Sequence, residues 1–134
     1  MNVIPFEITD KNSLIITVDC KIEQDNYTLA LDTGASNTVI DLAALLILGY
    51  EVKDALRTVE FETAKGVLTA YVFQVKEITS LGITRKDIEI CSYDFFTNNI
   101  FSDMHGVLGL DFIQDCKICL DMVEQEITIL QKKN

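Results

Sequence analysis

The chain has 134 residues, of which 49% are hydrophobic, 24% are charged and one is proline. That length and composition predict one globular domain over residues 1–134, with a core large enough to need no metal or disulfide staple. The formal net charge of −10, from 21 acidic against 11 basic residues, argues against nucleic acid or an anionic membrane as partner and leans weakly toward basic or neutral polypeptides.

The start, Met1-Asn2-Val3-Ile4-Pro5-Phe6-Glu7, has no basic segment ahead of a long apolar core, so no secretory signal is visible. The longest apolar run, Leu42 to Leu48, is far too short to span a bilayer, and a cytoplasmic location is expected. Val3 to Ile8 reads as a first strand, with Pro5 marking it as an edge. Leu14 to Ile22 and Tyr27 to Leu31 predict a hairpin around Glu23-Gln24-Asp25-Asn26. Its second arm runs into Leu29-Ala30-Leu31-Asp32-Thr33-Gly34-Ala35-Ser36, where an apolar strand delivers one carboxylate, Asp32, to a turn. Gly34 is expected there because it takes backbone angles that a Cβ resists. Ala35 and Ser36 are small enough to admit another backbone, and Thr38-Val39-Ile40 returns the chain to extended structure. Asp41 is expected to cap a helix over Leu42 to Leu48 that stops at Gly49. Being apolar all round, this helix should be buried.

Two extended arms follow, Thr58 to Glu62 and Val67 to Phe73, joined at Thr63-Ala64-Lys65-Gly66. Their alternation of apolar and polar residues predicts a hairpin with one face toward a ligand. Leu81-Gly82 makes a turn, and Asp87 to Tyr93 a strand with Ile88, Ile90 and Ser92 on one face. The aromatic segment Asp94 to Phe101 offers phenyl rings that either line a substrate pocket or pack the core, and core packing is the safer reading. After Gly106-Val107-Leu108-Gly109 come a short helix over Leu110 to Asp115 and a hairpin of Lys117 to Asp121 with Glu126 to Leu130.

Cys116 and Cys119 form a lone Cys-x-x-Cys with no second half-site nearby, and His105 is the only histidine. Cys20, Cys91, Cys116 and Cys119 are therefore read as small reduced core residues, and no metal or cofactor is expected. His105 has no accompanying Ser or Cys nucleophile motif and is read as a loop residue.

Asp32-Thr33-Gly34-Ala35-Ser36 between apolar segments resembles the active-site loop of the aspartic proteases. Gly106-Val107-Leu108-Gly109-Leu110-Asp111-Phe112 resembles the apolar-apolar-Gly element that crosses behind that loop. Within the family the chain is most similar to cellular and bacterial retropepsin-like domains, including those of the DNA-damage-inducible ubiquitin-shuttle proteases. Gly109-Leu110-Asp111 and Leu120-Asp121 carry that likeness. Viral members usually have Asp where Ser36 stands and Arg where Leu110 stands, so their inter-subunit ion pair is not expected.

The resemblance implies a mainly β, single-lobe barrel with one or two short helices, a flap hairpin and a two-fold homodimer whose chain ends interleave. It implies catalysis by Asp32, an active-site loop of Thr33, Gly34, Ala35 and Ser36, and substrate binding by flap residues Thr63, Ala64, Lys65, Gly66 and Val67. Val107, Leu108 and Gly109 form the second motif. Since no other Asp stands before Thr-Gly or Ser-Gly, a second carboxylate has to come from a second copy of the chain. The expected activity is that of an aspartic endopeptidase on polypeptide substrates. Two alternatives are a peptide-binding dimer of the same fold without turnover and a structural barrel dimer in which Asp32 is an incidental turn residue.

Overall fold

Strand-forming runs dominate the folded chain, as the sequence predicts. In the computed structural model, which describes residues 2–8, 14–64, 66–95 and 104–131, the elements run β1 (Asn2–Pro5), β2 (Glu7–Ile8), β3 (Ile16–Ile22), β4 (Asp25–Leu31), β5 (Val39–Asp41), α1 (Leu42–Ile47), a single 3-10 turn (Val52–Asp54), β6 (Arg57–Thr63), β7 (Gly66–Ser80), β8 (Ile83–Tyr93), β9 (Gly106–Leu108), α2 (Leu110–Ile113), β10 (Cys116–Asp121) and β11 (Glu126–Gln131). The larger sheet has the order β2-β3-β4-β9-β5-β8-β7-β6. A further pairing of β3 with β7, Cys20↔Ser80 to Ile22↔Ile78, closes it into the expected barrel. Closure leaves no free edge around the ring, and the interior is filled by Ile22, Leu29, Ile40, Leu45, Phe73, Val75, Ile90, Leu108 and Phe112. Ile127 and Ile129 of a smaller sheet, β1-β11-β10, complete that core from below.

Several expectations are revised. The strand expected over Val3 to Ile8 breaks at Phe6, which turns into the core and donates its N–H to the Gln125 carbonyl at 3.0 Å. β1 thus joins one sheet and β2 the other, and Pro5 lies on an edge strand, where its missing N–H costs nothing. The first hairpin turns tightly at Glu23-Gln24, Glu23 taking φ 54°, so Asp25 and Asn26 already pair with Ile22 and Lys21. β7 runs on past Phe73 to Ser80 and β8 starts at Ile83, because Leu81 (φ 58°) and Gly82 (φ 73°) form a turn whose twist matches the strands on either side.

The helix α1 is not buried all round. Ala44 and Leu45 face the core while Leu46 and Ile47 are exposed, since one helix face is all the barrel covers. Asp41 makes no side-chain cap and instead accepts from the Phe95 N–H at 3.3 Å. Gly49 does end the helix: at φ 102° it allows Gly49 N–H and Tyr50 N–H to reach the carbonyls of Leu46 and Leu45, both at 3.0 Å. The two ends of the chain lie side by side, with β1 antiparallel to β11 from Asn2↔Ile129 to Pro5↔Glu126. Of the aromatic segment, Phe95 is buried and touches Tyr93 at 4.6 Å between ring centroids, while residues 96–101 lie outside the described residues.

Candidate active site

The chain passes from β4 to β5 through residues 32–38, and a later strand, β9, is threaded between the two. β9 runs parallel to β4 at Ala30↔Val107 and Leu31↔Leu108, and antiparallel to β5 at Val39↔Val107 and Ile40↔Gly106. At the Leu29-Ala30-Leu31 end of β4 successive residues on both faces are covered, Leu29 and Ala30 both being buried, so it reads as a continuous apolar run rather than an alternation. The strand therefore holds Asp32 from a rigid base, and the Asp32 N–H donates to the Leu108 carbonyl at 3.1 Å.

The 32–38 loop is closed by short bonds. Ala35 N–H donates to the Asp32 carbonyl at 3.2 Å, and Gly34 N–H donates to Asp32 Oδ1 at 2.8 Å, aiming the carboxylate. Gly34 is not in the left-handed region, contrary to the expectation. A Cβ there would stand 3.1 Å from Asp32 Oδ1 and would press the carboxylate off its position by a few tenths of an ångström. Gly106 and Gly109 are needed more strictly. Gly106 has φ 153°, and a Cβ on it would lie 2.0 Å from the Val39 carbonyl oxygen. A Cβ on Gly109 would lie 2.6 Å from the Asn37 carbonyl carbon and 2.9 Å from the Ala35 oxygen. The second motif is thus the surface on which the 32–38 loop rests, with Leu108 fully buried beneath it.

Asp32 is exposed at the mouth of a cleft of about 260 Å³. Its floor is Asp32, Ala35, Val39 and Val107, and its roof is Phe61 and Leu68, which face each other across the β6–β7 hairpin, with Tyr93 at the side. Among the described residues lining the cleft, Asp32 is the only acid. Thr33, Gly34 and Ser36 are exposed beside it. The hairpin expected at the flap is present and turns between Thr63 and Gly66, with Gly66 at φ 122°. Ala64, Gly66 and Val67 lie exposed at its tip and do not line this cleft. Lys65 lies outside the described residues.

Sequence reasoning missed Phe61, Leu68 and Tyr93. Alternation along β6 and β7 placed the first two on one face but could not say that the face roofs Asp32. It also missed Thr38 and Asp111, treated below, which meet across 73 positions of sequence. His105 is exposed, as expected of a loop residue. Its Nδ1 accepts from the Thr28 N–H at 3.2 Å and its ring stands edge-on to Tyr27 at 5.0 Å, and it does not line the cleft. Of the four cysteines expected in the core, Cys20 and Cys91 are buried, whereas Cys116 is half-buried and Cys119 exposed, because the two lie three apart on β10 and point to opposite sides of the strand. Burial pushes the buried Cys20 thiol up to about 12, which leaves it unreactive.

Residues 18–112 match the aspartyl protease family profile, and the chain belongs to that family. Its fold is the retropepsin-like one: a retropepsin-like aspartic protease from Rickettsia conorii superposes with a TM-score of 0.70 at 17% identity, covering 97% of this chain and 99% of that one. No curated protein sequence matches. No helix among the described residues is long and apolar enough to cross a membrane.

Proposed function

We propose that the protein is an aspartic endopeptidase that works as a homodimer, with a water molecule activated between the Asp32 carboxylates of two copies. The observation that carries this reading is a single carboxylate, aimed by the Gly34 N–H and solvent-exposed, in a cleft where no other described lining residue is an acid. Hydrolysis without a covalent intermediate needs one carboxylate to take a proton from water and a second, protonated one to polarise the peptide carbonyl. Two copies meeting at the exposed Asp32 loops supply both. Carboxylates at hydrogen-bonding distance cannot both ionise easily, so the pair shares a proton, as aspartic proteases do as a class. Thr33 holds the two loops together across the axis, and Gly34 and Ser36 offer polar groups to substrate. An extended peptide between floor and flap gains strand-like hydrogen bonds while Phe61, Leu68 and Val107 receive an apolar side chain.

The whole of residues 1–134 is read as one such domain, a reading supported by a core cluster drawn from Phe6 through to Ile129. A cytoplasmic setting is supported by four free thiols.

The test is incubation of wild type and Asp32→Asn with a diverse peptide mixture across pH. Wild type is expected to cleave, with activity highest on the acid side and falling as rising pH removes the shared proton; Asp32→Asn is expected to be inactive with fold and dimer intact. Turnover in Asp32→Asn would sink the dyad. A wild type that binds peptides but cleaves none at any pH would establish the binding module instead.

A further inference from the structure

Thr38 and Asp111 form a closed polar knot directly behind the candidate active-site loop. Thr38 is fully buried, and its N–H lies 2.9 Å from both Oδ1 and Oδ2 of Asp111. Its hydroxyl donates to Asp111 Oδ1 at 2.7 Å and accepts from the Gly109 N–H at 3.1 Å. Two backbone bonds flank the knot, from Leu110 N–H to the Ala35 carbonyl at 2.8 Å and from Asp111 N–H to the Ser36 carbonyl at 3.3 Å. Every one of these bonds joins the 32–38 loop to the 109–111 segment that opens α2. The loop's other fixed point is Asp32 N–H on the Leu108 carbonyl, so the segment is held at Asp32 and again through Ala35, Ser36 and Thr38 on the 109–111 side.

We infer that Asp111, acting through Thr38, is a positioning residue that sets the Asp32 carboxylate for catalysis; this rests on the protease reading above. A barrel strand can hold one end of a seven-residue loop, but the aim of Asp32 is softened if the other end is free to shift. A carboxylate suits the far anchor because it accepts the Thr38 N–H and hydroxyl together, and charge-assisted bonds are the stronger ones. The same contact is tight at its base, where Gly109 packs against Asn37 and Ala35 too closely for a side chain at position 109. Displacement of a reacting group by about 1 Å is enough to cost roughly 10²-fold in rate, which is the scale expected when the knot is opened.

The experiment compares Thr38→Val, which keeps shape and removes the hydroxyl, with Thr38→Ser, which keeps the hydroxyl, and Asp111→Ala with Asp111→Asn, whose amide oxygen still accepts both bonds. On a peptide that wild type cleaves, Thr38→Val and Asp111→Ala are expected to lower kcat by roughly 10²-fold with KM little changed, while Thr38→Ser and Asp111→Asn keep most of the activity. In the same proteins, amide hydrogen exchange of Asp32, Thr38 and Leu110 should speed up in Thr38→Val while β7 and β8 amides exchange at wild-type rates. A Thr38→Val protein with wild-type kcat, or a loss of kcat that only follows the fraction unfolded, overturns the inference. Should wild type cleave no peptide, the protease reading fails and exchange alone decides: loop amides no faster in Thr38→Val than in wild type would overturn the clamp.

Discussion

At the scale of single residues, the candidate site is defined by what will not fit. Gly109 is buried with the Asn37 and Ala35 backbones against it, so Gly109→Ala must move the 32–38 loop, and interiors yield poorly to such insertions. The expected cost is on the order of 3 kcal/mol of folding stability, read from urea denaturation, together with loss of cleavage. A Gly109→Ala protein with unchanged midpoint and activity would show that the loop does not rest there. Asp32, Thr33 and Gly34 were legible in the sequence because their geometry is local: a strand end, a turn and a backbone N–H two residues on. Thr38 and Asp111 were not, because neither has a local peculiarity and their contact is created only when β9 is threaded beside β4.

At the scale of elements, the β6–β7 hairpin and α2 do different work. The hairpin brings Phe61 and Leu68 over the cleft. Phe61→Ala should therefore lower kcat/KM roughly tenfold for peptides with a large apolar residue at the cleavage point, by removing one wall of the pocket; an unchanged value would place the roof elsewhere. The short α2 has its C-terminal end held by Arg85, which donates through Nε (3.2 Å) and Nη2 (2.7 Å) to the Phe112 carbonyl and forms an ion pair with Asp115. Hydrogen bonds from the Arg85 guanidinium, and then from the Cys116 thiol, hold the Asp115 carboxyl well below the usual carboxylate range. A carboxyl with a folded-state pKa below its unfolded one adds stability above the unfolded value, and that contribution is lost as pH falls through the folded one. Asp115→Asn is thus expected to lower Tm at about pH 7, with the gap closing toward about pH 2; a gap that is constant with pH would contradict this. The ion pair then persists in the mild acid where the dyad is expected to work. Strand types were legible from alternation and turn residues, and so was the Leu81-Gly82 turn; the reach of β7 to Ser80 and the start of β8 at Ile83 were not, since the charged Lys76-Glu77 and Arg85-Lys86-Asp87 stretches weaken the strand signal on either side of it. The burial of α1 was misread because an all-apolar helix implies a fully covering partner, and the barrel covers only the side carrying Ala44 and Leu45.

At the scale of the whole molecule, the β3–β7 pairing closes the barrel within one chain, and β1 and β11 are already paired to each other. The barrel is therefore closed within one copy while the proposed chemistry needs two, and the two can be separated by experiment. If each copy contributes one Asp32, a mixed dimer of wild type and Asp32→Asn has a single carboxylate and is inactive. The decisive measurement is titration of a fixed amount of wild type with Asp32→Asn under conditions of free subunit exchange. The account predicts that cleavage declines as the variant is added, to about half at equal amounts if copies pair at random. Cleavage that stays constant, set only by the amount of wild type present, would contradict it.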